Sequence, residues 1–135
     1  IEGNREAWRA LEDAYKAGKL RSIGVANFLG DNFRQLCENC TVIPAVDQVE
    51  CHPFYQQRNI YEYCVKEGIQ MEAFSPMCNG RVVTDPVLVS IGNKYGKTGP
   101  QVTARFLYHT LGGSPAPVWQ RFFFADSDKH ERNGL

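Results

Sequence analysis

The sequence lacks the features that mark several common classes of protein. No apolar run reaches the roughly 18 residues that a membrane span needs, and the opening IEGNREAW has no basic stretch followed by an apolar one. Neither a bilayer helix nor an export leader is therefore expected. Lysine plus arginine equals aspartate plus glutamate, 15 each, which leaves no excess charge to draw the chain to nucleic acid or to an anionic membrane. The five cysteines are odd in number and scattered, unlike a secreted disulfide framework. Reduced thiols and a cytoplasmic location are expected, with small molecules or proteins as partners.

The cysteines offer zinc ligands only on paper. Cys37-x-x-Cys40, Cys51-His52 and Cys64 lack the paired-knuckle spacing of a structural site, and Cys37 and Cys40 fall on the apolar face of an expected helix. Core thiols are the expectation, with no metal. Redox chemistry at Cys37-x-x-Cys40 is also not expected, because no thiol sits at a helix N-terminus.

What the chain does contain is one unit used three times. A helix ending at Ala17-Gly18 leads through Lys19 and Arg21 into the apolar Ile23-Gly24-Val25, which stops at the polar Asn27. After a second helical segment, Ile43 to Glu50 closes at Cys51-His52-Pro53; after a third, Ile69 to Phe74 closes at Ser75-Pro76. Strands alternating with helices at this spacing predict an α/β fold of parallel strands joined by helical crossovers. Function in such folds gathers at the carboxyl ends of the strands. Asn27, Gln48 to His52 and Phe74 to Met77 are the candidate positions.

The helices have readable limits. Asn4 is expected to cap the first, with Trp8, Leu11 and Tyr15 on its apolar face and Gly18 as its stop. The second is expected to start at Gly30 or Asp31 and to turn Phe33, Leu36, Cys37 and Cys40 inward. A third, from about Asn59 to Glu67, presents Ile60, Tyr63 and Cys64 and stops at Gly68. Cys78-Asn79-Gly80 reads as an irregular loop. Beyond it, Pro86 to about Tyr95 is expected to form a helix with Val87, Leu88, Ile91 and Tyr95 on one side. Thr98 is expected to cap a last helix, about Gln101 to Leu111, with Val102, Phe106 and Leu107 on its apolar side.

Trp8, Leu11-Glu12, Tyr15-Lys16, Gly18-Lys19, Arg21, Ile23-Gly24-Val25 and Asn27-Phe28, followed by AVDQVECHP, EAFSP and KYGKT, resemble the aldo-keto reductase family in its own order. The resemblance covers about Glu6 to Leu111. It implies a (β/α)8 barrel that reduces small-molecule carbonyls with NADPH, and what matches is similar to the second half of that barrel. A whole eight-stranded barrel takes roughly 250 residues. The chain has 135, so a partial TIM barrel of about three parallel strands with flanking helices is expected. Residues 1–111 are taken as this partial barrel and 112–135 as a divergent tail, expected to be poorly ordered. The family's basic and serine grip on the adenosine 2′-phosphate has no match there, and Arg121 and Arg132 stand isolated.

The resemblance also assigns roles. The family's catalytic Asp, Tyr, Lys and His belong to the first half of the barrel, ahead of the stretch read here, so no catalytic residue is assigned. Asn27 and Gln48 match the residues that hold the nicotinamide carboxamide, a role that suits amides, which both donate and accept. Phe74 stands where a tyrosine usually stacks on the ring. Ser75 and Met77 match positions that touch the pyrophosphate. Ala26 replaces a residue, commonly serine, whose hydroxyl helps to bind the carboxamide.

Simpler readings stand beside these. Asn27 and Gln48 can serve as polar caps on strand ends, His52 as a brace for its turn, and Glu50 and Glu72 as interior carboxylates held by hydrogen bonds. Two functions follow. The chain is the cofactor-facing part, or a truncated version, of an NADPH-dependent carbonyl reductase; alternatively, it is a non-catalytic truncated product that folds incompletely or that pairs with another chain to cover its open sheet edges, with no reductase activity of its own.

Overall fold

The computed structural model describes residues 2–111; the expectation for 112–135 lies outside the described residues. Helix α1 (Glu2–Lys16) is followed by β1 (Val25–Ala26), α2 (Gly30–Asn39), β2 (Val46–Glu50), α3 (Arg58–Glu67) and β3 (Gln70–Phe74). A 3-10 turn at Cys78–Gly80 then leads to α4 (Arg81–Thr84), α5 (Pro86–Lys94) and α6 (Gly99–Thr110). The strands form one parallel sheet in the order β1-β2-β3. The chain divides into two compact units: residues up to Glu50 with Gln57–Glu72, and Cys51–Gln56 with the chain from Ala73 onward.

In the first unit β1 is two residues long, yet its pairing reaches further. Val25 lies opposite Asp47 and Ala26 opposite Gln48; Ala45 N donates to Ile23 O at 2.8 Å and Asn27 N to Gln48 O at 2.9 Å. Gly24 permits this approach. A Cβ there would lie 2.8 Å from the Val46 carbonyl oxygen and closer still to the Val46 side chain, a contact that no real Cβ makes. Gln70 N donates to Ala45 O at 3.0 Å, joining the third strand to the second.

Trp8, Ile23 and Leu36 form the centre of a core against which Val25, Phe28, Cys40 and Val42 pack. Phe33 meets Tyr63 edge-on with ring centroids 5.2 Å apart, which joins α2 to α3. Gly18, at φ 72, ends α1 by letting Lys19 N reach Ala14 O at 3.0 Å. Gly68, at φ 71 with its N–H on Cys64 and Val65 carbonyls, ends α3 in the same manner.

Two expectations for α1 are corrected. Asn4 lies inside the helix, where the N–H groups that a cap would receive are already committed to helical bonds. The buried residues of α1 are Trp8 and Glu12, while Leu11 and Tyr15 are 37% and 39% exposed. The helix is rotated toward Glu12 because that carboxylate has partners waiting. Its Oε1 accepts from Thr41 N at 2.6 Å and Val42 N at 2.8 Å.

In the second unit, His52 and Tyr55 exchange backbone hydrogen bonds of 3.1 and 2.9 Å and so close a tight turn. The guanidinium of Arg81 lies 4.0 Å above the Phe54 ring. The expected loop at 78–80 is more regular than its sequence suggests: left-handed Cys78, Asn79 and Gly80 lead straight into α4. Asp85 caps α5, its Oδ1 accepting from Val87 N and Leu88 N at 3.1 Å each. Thr98 and Gln101 form a reciprocal capping box at α6.

The inward face of α5 is also corrected. Leu88 and Gly92 are buried, whereas Val87, Ile91 and Tyr95 are exposed. The reason is close backbone packing. A Cβ on Gly92 would strike the Lys97 carbonyl and one on Gly99 the Val82 carbonyl, so small residues, not the apolar stripe, set the contact side. In α6 the buried residues are Gly99, Thr103 and Leu107, with Val102 and Phe106 half-buried.

Candidate functional site

The first unit places two amide side chains on neighbouring strands, Asn27 just past the end of β1 and Gln48 at the centre of β2. Asn27 follows β1 in a left-handed conformation, φ 60, which asparagine tolerates better than most residues. Its backbone N–H on Gln48 O ties the turn to β2, and its side chain is exposed. Gln48 is half-buried and donates from Nε2 to Glu72 Oε1 at 2.6 Å. That bond fixes the direction of the amide. Gln48 keeps its carbonyl oxygen as an acceptor and one further N–H as a donor. Glu72, expected as an interior carboxylate held by hydrogen bonds, has that arrangement.

Asp47 was not singled out in the sequence. It is 0% exposed and shares with Val49 the buried face of β2, while Val46 and Gln48 are on the half-exposed face. Burial pushes its carboxyl up to about 7, only partly offset by the Phe28 backbone N–H. The signal was present: an acid in the buried phase of an alternating strand. Glu12 shows the opposite balance. Burial acts to raise it, but the Val42 and Thr41 N–H groups outweigh burial and hold its carboxyl below the usual value.

The second unit holds the other candidates. Phe74 ends β3 and is 57% exposed, and its carbonyl accepts from Cys51 N at 3.2 Å. Ser75 follows at φ 51 and its carbonyl accepts from Cys78 N at 3.0 Å; Met77 O accepts from Gly80 N at 2.9 Å. Ser75 and Met77 thus shape one compact turn. Both are half-buried. Taken singly, an exposed aromatic side chain suits stacking on a planar ring, and exposed or half-buried amides suit a carboxamide.

The thiols are structural in their surroundings. Burial pushes Cys51 up to about 11 and Cys64 up to about 12, which keeps both protonated and unreactive at neutral pH. Cys40 Sγ donates to the Cys37 carbonyl at 3.3 Å. Among the described residues no three His, Cys, Asp or Glu side chains are grouped to hold a metal ion.

A family model described as the aldo/keto reductase family matches residues 4–121. The chain belongs to the aldo/keto reductase family. It is 37% identical over 125 residues to a glyoxal reductase of Bacillus subtilis, covering 92% of this chain and 45% of that protein. The structure is similar to a point mutant of Gox0644 in complex with NADPH, with a TM-score of 0.74, 35% identity, and coverage of 78% of this chain and 39% of the other. It is also similar to an aldose reductase from Schistosoma japonicum, with a TM-score of 0.72, 28% identity, and coverage of 78% and 34%. The chain thus spans less than half the length of these relatives. Together with the parallel sheet, this makes the aldo/keto reductase segment a partial barrel. No helix among the described residues is long and apolar enough to cross a membrane.

Proposed function

We propose that this chain carries the nicotinamide-binding part of an NADPH-dependent reductase of small-molecule carbonyls. The observation that carries the reading is the pair of amides on neighbouring strands, Asn27 tied to Gln48 through the backbone and Gln48 aimed by Glu72. Asn27 and Gln48 hold the carboxamide, Phe74 offers its ring to the nicotinamide, and Ser75 and Met77 meet the pyrophosphate. Bound NADPH supplies the hydride. Ala26 offers no hydroxyl, which forgoes one hydrogen bond of about 1 kcal/mol.

No residue of this stretch takes a catalytic role in the reading. Proton donation to the carbonyl oxygen belongs to the tyrosine and lysine that the family places in the other half of its barrel. Residues 1–111 are the partial barrel in this reading, 112–135 a divergent tail, and the protein acts in the cytoplasm without nucleic acid or membrane as partner.

Titration with NADPH, followed by nicotinamide fluorescence and by thermal stability, tests it. A ligand that binds only the folded state raises the melting temperature. Saturable binding weakened by Asn27→Ala and Gln48→Ala is the expected result; no binding and no thermal shift would overturn the reading.

A second reading is favoured by the exposure of Val83, Val87 and Tyr95, 55%, 64% and 73%: a chain without reductase activity of its own that acts by association, through these side chains and open sheet edges. Sedimentation velocity across concentrations separates the two. Self-association without NADPH binding favours the second reading; a monomer that binds NADPH favours the first.

A further inference from the structure

Gln48 and Glu72 meet on the half-exposed face of the sheet. In β2, Val46 and Gln48 are half-buried while Asp47 and Val49 are buried, and in β3 the half-buried Glu72 follows the buried Met71. Gln48 Nε2 donates to Glu72 Oε1 at 2.6 Å across the two strands. A carboxylate has no proton to give, so the nitrogen of the Gln48 amide must be the end that faces Glu72. Its carbonyl oxygen is left for another partner. Glu72 therefore acts in two ways: it fixes which end of the amide is offered, and it places a negative charge one hydrogen bond behind that amide. A charge-assisted bond of this length polarises the amide and makes its remaining oxygen a stronger acceptor.

Among the described residues no lysine, arginine or histidine pairs with Glu72, so no fixed counter-charge cancels its field at Gln48. That field distinguishes the two forms of a nicotinamide. The ring is neutral when reduced and carries a positive charge once its hydride has gone. Both forms have the same carboxamide, ribose and phosphates. A residue that only aims Gln48 favours the two alike, whereas a negative charge favours the oxidised one.

We propose that Glu72 is a positioning residue whose charge, acting through Gln48, biases the cofactor site toward the oxidised, cationic nicotinamide and so toward loss of hydride to the carbonyl. The proposal rests on the reading of Gln48 as a carboxamide ligand. As hydride leaves, positive charge develops on the ring, and a carboxylate already fixed in place stabilises it without rearrangement. Glu72 needs no contact with the ring to do this. The same charge holds the oxidised cofactor more tightly than the reduced one would be held.

The test is calorimetric titration of the full chain with NADPH and, separately, with NADP+, for the wild type and for Glu72→Gln, Glu72→Ala, Glu72→Asp and Gln48→Ala. Glu72→Gln keeps an acceptor for Gln48 and loses the charge. Its affinity for NADP+ should fall about three- to tenfold more than its affinity for NADPH, less than the roughly ten- to thousandfold effect of an opposite charge at about 4–6 Å. The potential of the bound cofactor should rise by up to about 30 mV, the equivalent of a tenfold ratio in a two-electron couple. Glu72→Ala should weaken both forms and show the same change of ratio, and it decides the question if Glu72→Gln folds poorly. Glu72→Asp keeps the charge and should keep the wild-type ratio, even where its shorter reach weakens both forms. Equal losses for NADPH and NADP+ in Glu72→Gln and Glu72→Ala overturn the proposal and leave Gln48 as a carboxamide ligand. Binding of both forms that is indifferent to Gln48→Ala overturns the cofactor reading, and the proposal with it.

Discussion

Glu12 and Asp47 are both buried acids of the first unit, 4% and 0% exposed, and they titrate in opposite directions. Glu12 faces the start of the segment after α2 and receives two backbone N–H groups there, at 2.6 and 2.8 Å. Asp47 lies mid-strand, where the backbone N–H groups around it serve the ladder, and neither of its carboxylate oxygens has a hydrogen-bond partner. The cost of removing a carboxylate from water is present in both cases. The supply of donors decides whether that cost is met. A loop end has free N–H groups to give, and the middle of a sheet has few.

The largest effect that can break this comparison is the loss of Glu12. Glu12→Ala takes the acceptor from the part-buried Thr41 and Val42 N–H groups, and urea unfolding at pH 7 should show a loss of about 2 kcal/mol. Lowering the pH should do the same gradually. Because the folded pKa of Glu12 lies below its unfolded value, its contribution is present above about pH 4.3 and is lost as pH falls through the folded value.

Asp47 should behave in the reverse sense and at most as strongly. Its folded pKa is raised to about 7, so the term it contributes is present below the unfolded value of about 3.9 and is lost as pH rises through 7. Asp47→Asn should therefore stabilise the fold at pH 8 by about 2 kcal/mol and give little gain at pH 5. Melting curves at the two pH values check it. Equal gains at both would show that the carboxyl is not neutral at low pH, and the contrast with Glu12 would fail.

A smaller effect sharpens the comparison from the side of function. Gln48→Ala removes the 2.6 Å partner of Glu72 and the proposed carboxamide ligand, and NADPH affinity should fall about tenfold, near 1.4 kcal/mol. Glu72→Gln should cost less than Gln48→Ala, since an amide can still accept the hydrogen bond that aims Gln48. The smallest effect is at Tyr95, 73% exposed. Tyr95→Ser should change stability by about 0.5 kcal/mol or less, against the several-fold larger cost expected had its ring lain in the core.

Several features were legible because their causes are local. The parallel α/β arrangement follows from strands and helices alternating along the chain, and the stops at Gly18 and Gly68 from the left-handed backbone that each adopts. The cap at Thr98 follows from a side chain that reaches an N–H group three residues on. The left-handed turn at Asn27 sits where the apolar run of β1 stops. Family membership was likewise carried by blocks such as AVDQVECHP, each short enough to be recognised without knowing what it touches.

Burial was less legible. Periodicity turned Leu11 and Tyr15 inward, but Glu12 was drawn in by N–H groups about thirty residues away. It also turned Val87, Ile91 and Tyr95 inward, but α5 turned Gly92 to a close backbone contact instead. An apolar stripe states only that some face can be buried. It does not state which neighbour arrives.

By itself the sequence determined the alternation of strands and helices, the helix stops at Gly18 and Gly68 and the family, because those depend on backbone preferences and contacts within a few positions. Only the tertiary structure decided that Glu12 would be satisfied and Asp47 left wanting, and that Glu72, 24 residues along the chain, would aim Gln48. Each of those outcomes depends on where a distant donor or acceptor comes to rest, and a buried charge is governed by the donors within reach of it, whatever their separation in sequence.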